Sequence, residues 1–260
     1  CGSSDARALY DDGSKCFACG DHDSRSVVER HAGPQGAAPS TRSSPLLVVE
    51  EFGDLPLRKL SEQTCRRWGY GISVVARKPV QVAQYCDDSG KVIAQKWRNA
   101  SKDFGWRGDS KKAGLYGRHL WRDGGKAVII TEGEIDAMTV DQIQGYKWPV
   151  VSVENGAHNA AKTIRNSIEW LEKFESVVFM FDNDEPGKEA AKECASLLSP
   201  GKAKIATLPL KDANEMLVAG RGADVIKAFW EARDYRPDGV INAKDIRQRL
   251  KDRPPVDSIQ

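Results

Sequence analysis

Four apolar segments in the second half of the chain alternate with segments of helical pattern, and this alternation constrains the fold most. The apolar segments read KAVIIT (126–131), PVVSV (149–153), VVFMF (177–181) and KIATLPL (204–210). Between them, stretches such as EGEIDAMTVDQI carry apolar residues at helical spacing. Strands that are apolar throughout are typical of parallel sheets covered by helices on both faces. The sequence therefore predicts the α/β class, with a mostly parallel sheet flanked by helices, and Pro186 is placed to open the helix after the third strand.

Acidic residues follow three of these four strands. They are Glu132, Glu134 and Asp136 after the first strand, Asp182 and Asp184 after the third, and Asp212 after the fourth. Ligands of open α/β sheets gather outside the carboxyl ends of the strands, so we expect these carboxylates to meet at one edge. Carboxylates crowded together need a proton, a basic group or a metal, and magnesium suits an oxygen-lined site that also takes substrate phosphates. Taken alone, the Asp182 and Asp184 pair would fit a helix cap or turn equally well.

A basic segment precedes the predicted sheet. Residues 46–125 begin with a strand-like LLVVEEF and a helix-like SEQTCRRWGYG, and then predict a hairpin, VQVAQYC and KVIAQKW, joined by a DDSG turn. Residues 91–126 contain ten Lys or Arg and three Asp. This segment interleaves basic and aromatic side chains: Lys96, Trp97, Arg98, Lys102, Phe104, Trp106 and Arg107. Such a surface can hold phosphates and stack bases, although plain strand alternation would equally put Lys96 and Arg98 in solvent and Trp97 in the core.

Three cysteines in the first twenty residues indicate a small module stapled by a metal. Cys16 and Cys19 have the spacing of a zinc knuckle, and Cys1 stands one loop upstream. A structural zinc ion takes four ligands, so the fourth either preceded Cys1 or is His22. Because the chain begins at Cys rather than Met, we expect that upstream sequence is missing. The alternative is three cysteines without a metal.

Composition sets limits on the class of protein. With 260 residues, a net charge of +2 and a pI near 8.2, whole-molecule attraction to nucleic acid is weak, and any such binding needs a local patch. Cys65, Cys86 and Cys194 are scattered and fit ordinary buried thiols. The sequence has no signal peptide and no apolar stretch of membrane-spanning length, so we expect a soluble protein in a reducing compartment, without a membrane partner.

The acidic motifs carry a resemblance to a known family. A glutamate at the end of one strand, followed some fifty residues later by DxD at the end of another, resembles the Toprim domain of bacterial-type primases, topoisomerases and certain nucleases. The motifs that extend the resemblance are TEGEIDAMTV, VVFMFDNDEPGKEAA, LPLKDANE, QKWR, LYGRHLW, SEQTCRRWGYGI and the leading CGSSD with CFAC. Together, and in the same order, they resemble the primase half of the bifunctional primase-helicase of short-tailed bacteriophages. The resemblance covers nearly the whole chain except the linker.

The resemblance implies template-directed synthesis of short RNA primers from ribonucleoside triphosphates on single-stranded DNA. It implies that Glu132 acts as a general base or organises a metal, with Asp182 and Asp184 as the other catalytic acids. Two magnesium or manganese ions would be held by Glu132, Asp136, Asp182, Asp184 and Asp212, and a zinc ion, once its site is completed, by Cys1, Cys16 and Cys19. Nucleotide phosphates and template would be contacted by Lys96, Arg98, Lys102 and Lys211.

The resemblance also implies an organisation and a cellular setting. The expected parts are a truncated zinc-binding module (1–20), a flexible linker (21–45), a smaller α+β basic subdomain (46–125), a Toprim catalytic subdomain (126–235) and a linker helix (236–260). No GxxxxGK[ST] motif is present, so we expect the helicase domain to be a missing partner encoded further along the full-length chain. The other implied partner is the replicative DNA polymerase, in the cytoplasm of the infected bacterial host.

Other functions fit parts of the sequence. A Toprim-type nuclease would use similar acids to cut DNA, and an aspartyl phosphatase would use Asp182 as its nucleophile. A zinc-bearing single-strand binder without catalysis would explain the basic aromatic segment but not the acids. A topoisomerase would need a strand-passing domain for which 260 residues leave no room.

Overall fold

The computed structural model describes residues 7–10, 13–16, 22–24, 44–101, 103–237 and 247. The predicted zinc ligands Cys1 and Cys19, the predicted phosphate contact Lys102 and almost all of the predicted tail helix lie outside these residues. For Cys16 only the backbone is described. The zinc site and the domain boundaries at the two ends of the chain therefore stay predictions.

The first sheet has seven strands in the order β3-β2-β1-β7-β6-β5-β4. Its strands are β1 (Arg7–Tyr10), β2 (Gly13–Cys16), β3 (His22–Ser24), β4 (Tyr70–Val75), β5 (Lys78–Cys86), β6 (Val92–Arg98) and β7 (Phe104–Gly108). Neighbours are antiparallel except β1 and β7, which are parallel. Helix α1 (Glu62–Trp68) precedes β4, begins after the capping residue Ser61 and ends at Gly69. The predicted helix and hairpin are both present.

The predicted strand at LLVVEEF is wrong. Residues 44–50 are outside any strand, and Glu51 makes a single bridge to Ile72 of β4. Backbone bonds join the end of this segment to β4, and side chains hold the rest. The Gln95 amide bonds both the N–H and the carbonyl of Leu47, and the Ser73 hydroxyl donates to the carbonyl of Val48. Its β-branched residues therefore mark an extended edge segment.

The second sheet has five strands in the order β12-β11-β10-β8-β9. They are β8 (Gly125–Thr131), β9 (Val150–Ser152), β10 (Phe174–Met180), β11 (Ala203–Ile205) and β12 (Arg233–Asp234). The first four are parallel, as predicted, and β12 adds an antiparallel edge. Strand β11 is shorter than the predicted KIATLPL; the last pairing bond runs from the N–H of Ala206 to Phe179, and Pro209 has no N–H to extend it.

Helices cover both faces of this sheet. They are α2 (Glu134–Ile143), α3 (Ala160–Asn166), α4 (Ile168–Leu171), α5 (Glu185–Ser196), α6 (Ala213–Val218) and α7 (Gly222–Trp230). Ile129 of β8 joins the core under α2, α6 and α7, whereas its neighbours Val128 and Ile130 join the core under α3 and α5. Pro186 lies in the first turn of α5, as predicted. Among the described residues, no helix has the length and apolar character needed to cross a membrane.

Aromatic packing fixes the first sheet against the second. Trp68 at the end of α1 is buried, donates from Nε1 to Asp141 Oδ2 on α2 at 2.7 Å, and accepts at its carbonyl from the Tyr116 hydroxyl, also at 2.7 Å. Tyr116 in turn stacks on Tyr85 of β5, with ring centroids 5.0 Å apart. This continuous core places the basic hairpin beside the start of α2.

Candidate active site

Three carboxylates converge at the carboxyl edge of the second sheet. One oxygen from each of Asp136, Asp182 and Asp212 lies within 4.8 Å of the other two. We call these residues the acidic triad. Asp136 is in the first turn of α2 after β8, Asp182 is in the loop between β10 and α5, and Asp212 caps α6 after β11. Each acid comes from a different strand end, which is the arrangement that the sequence predicted.

Backbone groups hold the triad in place. Asp136 Oδ1 accepts from the backbone N–H of Asn214 at 3.0 Å, and Asp212 Oδ1 accepts from the N–H of Glu215 at 2.6 Å. The loop that carries Asp182 is tied to the next loop because the N–H of Asn183 donates to the carbonyl of Lys211 at 2.6 Å. The geometry is therefore built into the helix starts and does not depend on flexible side chains alone.

Burial and mutual repulsion raise the pKa values of two acids of the triad. Burial raises the pKa of Asp136 well above its usual range, and the charges of Asp212 and Asp182 raise it further. Burial likewise raises the pKa of Asp182 to about 7, with the Glu132 charge adding to the effect and Lys211 opposing it. Lys211 Nζ lies 3.4 Å from Asp182 Oδ2 and only partly offsets this repulsion. Crowded, partly dehydrated carboxylates of this kind have the oxygen chemistry that suits a hard divalent cation.

Glu132 lies next to the triad and has an unsatisfied oxygen. Its Oε2 is buried without a hydrogen-bond partner among the described residues. Burial raises the pKa of this carboxyl; the Asp184 charge also raises it, while the amides of Ala157 and Asp182 lower it. Gly156 of the loop after β9 passes close to Glu132 Oε1, which a Cβ at that position would approach to 3.5 Å. A buried acceptor with no partner is expected where a ligand or proton is to be received.

Asp184 has a structural role in addition to any metal role. Its Oδ1 accepts from the N–H of Gly187 at 2.9 Å, so it is the N-cap of α5. Gly187 is required there because a Cβ would lie 2.3 Å from the carbonyl of Asp182. The two aspartates of the DxD pair thus separate: Asp182 enters the triad, and Asp184 caps the helix. The metal-binding role of Asp184 stays a prediction.

The predicted cations lie in different surroundings. Lys211 contacts the triad, and Lys96 is largely buried, with its Nζ 2.9 Å from both Glu134 Oε1 and the carbonyl of Glu154. Lys96 and Arg98 both lie over the ring of Phe104, at 5.3 and 5.0 Å from its centroid. Solvent exposure by strand alternation is therefore wrong for Lys96, because the start of α2 and the loop after β9 cover its side chain.

Two of the aromatic side chains in the basic segment pack against the interior of the protein. Trp97 is buried against Val80 and Val82, and Trp106 packs on Tyr85 with ring centroids 5.0 Å apart. Of the two alternatives for Trp97, the core position predicted by strand alternation is therefore correct, and the nucleic-acid surface is wrong. Phe104, in contrast, lies beneath the charged groups of Lys96 and Arg98.

Three residues near the site make contacts that the sequence does not predict. One of them, Glu134, is expected from the sequence to meet the other acids but is not part of the acidic triad. Glu134 pairs with Lys96; Glu154 has a buried Oε2 without a partner in the described part of the chain; Asn214 is buried, and its side-chain amide donates to Thr139 and to the carbonyl of Arg58. Glu134 and Asn214 stand within quoted motifs, but their partners are 38 to 156 residues away. Sequence spacing carries no signal for such contacts.

Two family descriptions match the chain. One, Bacteriophage T7 DNA helicase/primase, N-terminal a+b fold, matches residues 51–108, and the other, Toprim-like, matches residues 129–217. The two matches correspond to the two sheets, and the second contains every residue of the acidic triad.

Relatives and solved structures agree with these matches. The chain is 39% identical over 261 residues to the DNA helicase/primase of Enterobacteria phage T3; this covers 97% of the chain but 46% of that protein, so the chain spans about half the length of this relative. The primase fragment of the bacteriophage T7 primase-helicase is 36% identical, with a TM-score of 0.69 over 88% of this chain and 96% of that one. A second solved structure shows bacteriophage T7 lagging-strand DNA polymerase interacting with primase domains that are bound to an RNA/DNA hybrid and dTTP. One chain of that structure is 40% identical to this protein, with a TM-score of 0.68, and the match covers 71% of this chain and 94% of that one.

Proposed function

The chain belongs to the family of T7-type bacteriophage primase-helicases, in which it corresponds to the primase fragment, and we propose that it is a DNA primase. It joins ribonucleoside triphosphates into short RNA primers on a single-stranded DNA template. The observation that carries this proposal is the convergence of Asp136, Asp182 and Asp212 beside the buried Glu132, with Lys96 of β6 bonded to Glu134 at the start of α2.

The acidic triad is the proposed holder of divalent metal. Asp136, Asp182 and Asp212 would bind it directly, with Glu132 and Asp184 beside them. Two magnesium or manganese ions at this site would supply Lewis acidity and neutralise the charge on the triphosphate and on the leaving pyrophosphate. The hydrogen bonds donated by the first turn of α6 keep Asp136 and Asp212 in place, so little reorganisation is needed when substrate binds.

Glu132 is the proposed general base. Burial raises the pKa of Glu132, and a carboxylate with a raised pKa is a better proton acceptor than an ordinary glutamate. It takes the proton of the primer 3′ hydroxyl, whose oxygen then bonds to the α-phosphorus of the incoming nucleotide. The bond between the α-phosphorus and the bridging oxygen breaks, and pyrophosphate leaves. The unpartnered Oε2 of Glu132 supports this role.

The basic residues are the proposed contacts to phosphates. Lys211 contacts Asp182 of the triad and Lys96 contacts Glu134 in the first turn of α2, so their charges suit a triphosphate. Arg98 beside Phe104 suits the template backbone. Lys102 belongs to the same proposal but lies outside the described residues. Cys1, Cys16 and Cys19 remain the proposed ligands of a zinc ion that would help to read the template.

The proposed partners follow from the family. The T7 primase domains named above are bound to an RNA/DNA hybrid, dTTP and DNA polymerase, and we propose single-stranded DNA, ribonucleoside triphosphates, the replicative polymerase and a helicase domain for this protein. The proposed place of action is the cytoplasm of the infected bacterium.

One experiment tests the proposal. The protein is mixed with single-stranded templates, labelled ribonucleotides and magnesium, and the products are separated on a denaturing gel. We expect short RNA that disappears with EDTA. Shortening of the DNA template without RNA synthesis would instead support the nuclease, and release of inorganic phosphate alone would support the phosphatase that uses Asp182.

A further inference from the structure

We propose that Glu134 is a positioning residue that aims Lys96 at the nucleotide phosphates, an inference that rests on the primase function proposed above. Glu134 is the first residue of α2 and Lys96 lies on β6, so the pair joins the two sheets. Their side chains are 14% and 15% exposed, which makes this ion pair more buried than an ordinary surface pair.

A three-part hydrogen-bond network fixes the ammonium group. Glu134 Oε1 accepts from Lys96 Nζ at 2.9 Å and from the Tyr85 hydroxyl at 2.7 Å, and the carbonyl of Glu154 accepts from the same Nζ at 2.9 Å. An ammonium group has three donors, so two are used within the protein and one is left for a ligand. Because Tyr85 is buried and ties Glu134 to the first sheet, the carboxylate has little freedom to move away.

The geometry separates Glu134 from the metal site. Residues 134 and 136 are two positions apart on α2, and successive residues of a helix turn by about 100°, so the two side chains point to nearly opposite sides. Asp136 faces Asp182 and Asp212, whereas Glu134 faces Lys96 and Tyr85. Glu134 is accordingly outside the acidic triad, although it stands in the same TEGEID motif as Glu132.

The TEGEID motif therefore has two proposed functions, to supply the base Glu132 and to position Lys96 through Glu134. Glu132 and Glu134 are separated only by Gly133, so one short turn sets the distance between the proposed base and the anchored cation. A Lys96 side chain without its carboxylate partner keeps the Glu154 carbonyl and the ring of Phe104 as neighbours but loses this ion pair, and it samples other rotamers. Loss of Glu134 should therefore weaken nucleotide binding more than it slows the chemical step.

Primer synthesis by Glu134→Ala and Glu134→Gln tests this inference. For Glu134→Ala we expect the KM for ribonucleotide to rise about 10- to 100-fold, which corresponds to loss of one charge-assisted hydrogen bond. We expect kcat to stay within about twofold and the magnesium concentration for half-maximal activity to be unchanged. Glu134→Gln, which keeps an acceptor but no charge, should lie between wild type and Glu134→Ala, and Tyr85→Phe should show a smaller rise in KM.

A double-mutant cycle decides between positioning and other roles. In a Lys96→Ala background, Glu134→Ala should have almost no further effect on KM, because its partner is already gone. Fully additive effects would overturn the inference, and so would a changed magnesium requirement, which would make Glu134 a metal ligand. If circular dichroism shows that Glu134→Ala does not fold, the double-mutant cycle is repeated with Glu134→Gln or Tyr85→Phe in its place. Absence of RNA synthesis by the wild-type protein would count against the primase function itself, whereas active wild type with an unchanged KM in the variants would count against Glu134 alone.

Discussion

The backbone N–H of Asn214 donates to Asp136 Oδ1 at 3.0 Å, so the first turn of α6 fixes an acid that belongs to the first turn of α2. The two helices lie side by side on one face of the second sheet, and their starts meet at its carboxyl edge. Because of this contact, the acids that follow successive strands form a site before any ligand binds. Each acid has its own contacts, so single substitutions can test the acids one at a time.

Glu132→Gln should abolish primer synthesis without loss of fold. The substitution keeps the shape of the side chain but removes the proton acceptor, and loss of a general base typically lowers the rate by a factor of about 10² to 10⁴. The measurement is RNA product on a gel at saturating ribonucleotide. The matched control is Glu189→Gln, an exposed glutamate on α5, which should leave the product unchanged. Product at wild-type level from Glu132→Gln would remove this residue from the mechanism.

Asp182→Asn should inactivate the enzyme and stabilise the metal-free protein. Burial and the Glu132 charge raise the pKa of Asp182 to about 7, so the ionised carboxyl is unfavourable in the folded state at pH 8. Neutralising it should raise the Tm in EDTA by about 2–4 °C, the shift expected for about 1 kcal/mol in a chain of this size. Magnesium should raise the Tm of the wild type more than that of the variant. A lower Tm for the variant in EDTA would contradict the repulsion that we infer.

The stability of the protein should depend on pH through Glu154. Burial raises the pKa of Glu154 to about 7, although Lys162 and Lys96 act in the opposite direction. The carboxyl is therefore ionised at a cost above pH 7, and as the pH falls from 7 towards 4.5 the folded state takes up a proton and the cost disappears. We expect Glu154→Gln to be more stable than the wild type by about 1 kcal/mol at pH 8, after allowance for solvent screening, and equally stable near pH 5.

Urea denaturation of both proteins at pH 5, 6, 7 and 8 measures this difference. Glu189→Gln again serves as the control, since an exposed glutamate should shift neither curve. A constant difference between Glu154→Gln and the wild type across the pH range would show that the substitution acts through packing and not through ionisation.

The sequence predicts the layout of the second sheet because periodicity and strand-end chemistry are local properties. Acids that follow β8, β10 and β11 must reach one edge of the sheet once those strands are parallel. The convergence of Asp136, Asp182 and Asp212 therefore follows from the order of strands and acids along the chain. The role of each carboxylate, in contrast, depends on contacts between distant residues. The division of Asp182 and Asp184 into a triad member and a helix cap depends on the close turn at Gly187, where the backbone leaves no room for a Cβ.

The burial of Lys96 is a second property that only the tertiary structure reveals. On an isolated hairpin its side chain would lie in solvent, and the alternation with Trp97 predicts no more than that. It is covered because Trp68, Tyr85 and Tyr116 bind the first sheet against α2. The strand-like LLVVEEF is a third such property: it packs on Val80, Val82 and Trp97, and the Gln95 side chain bonds Leu47 beyond the end of the backbone ladder.

Gly117→Ala should disrupt this packing. Gly117 has a φ of 83°, which side chains rarely adopt, and a Cβ there would lie 2.1 Å from the ring of Trp68. Because Trp68 is fully buried and hydrogen-bonded to Asp141, it cannot move aside, and we expect a loss of roughly 2–4 kcal/mol in the free energy of unfolding. Gly114→Ala is the matched control, since a Cβ at that glycine meets no atom within 4 Å and should change stability by less than about 0.5 kcal/mol. Denaturant titration measures both variants, and equal stability of the two would show that the Trp68 contact between the sheets is not rigid.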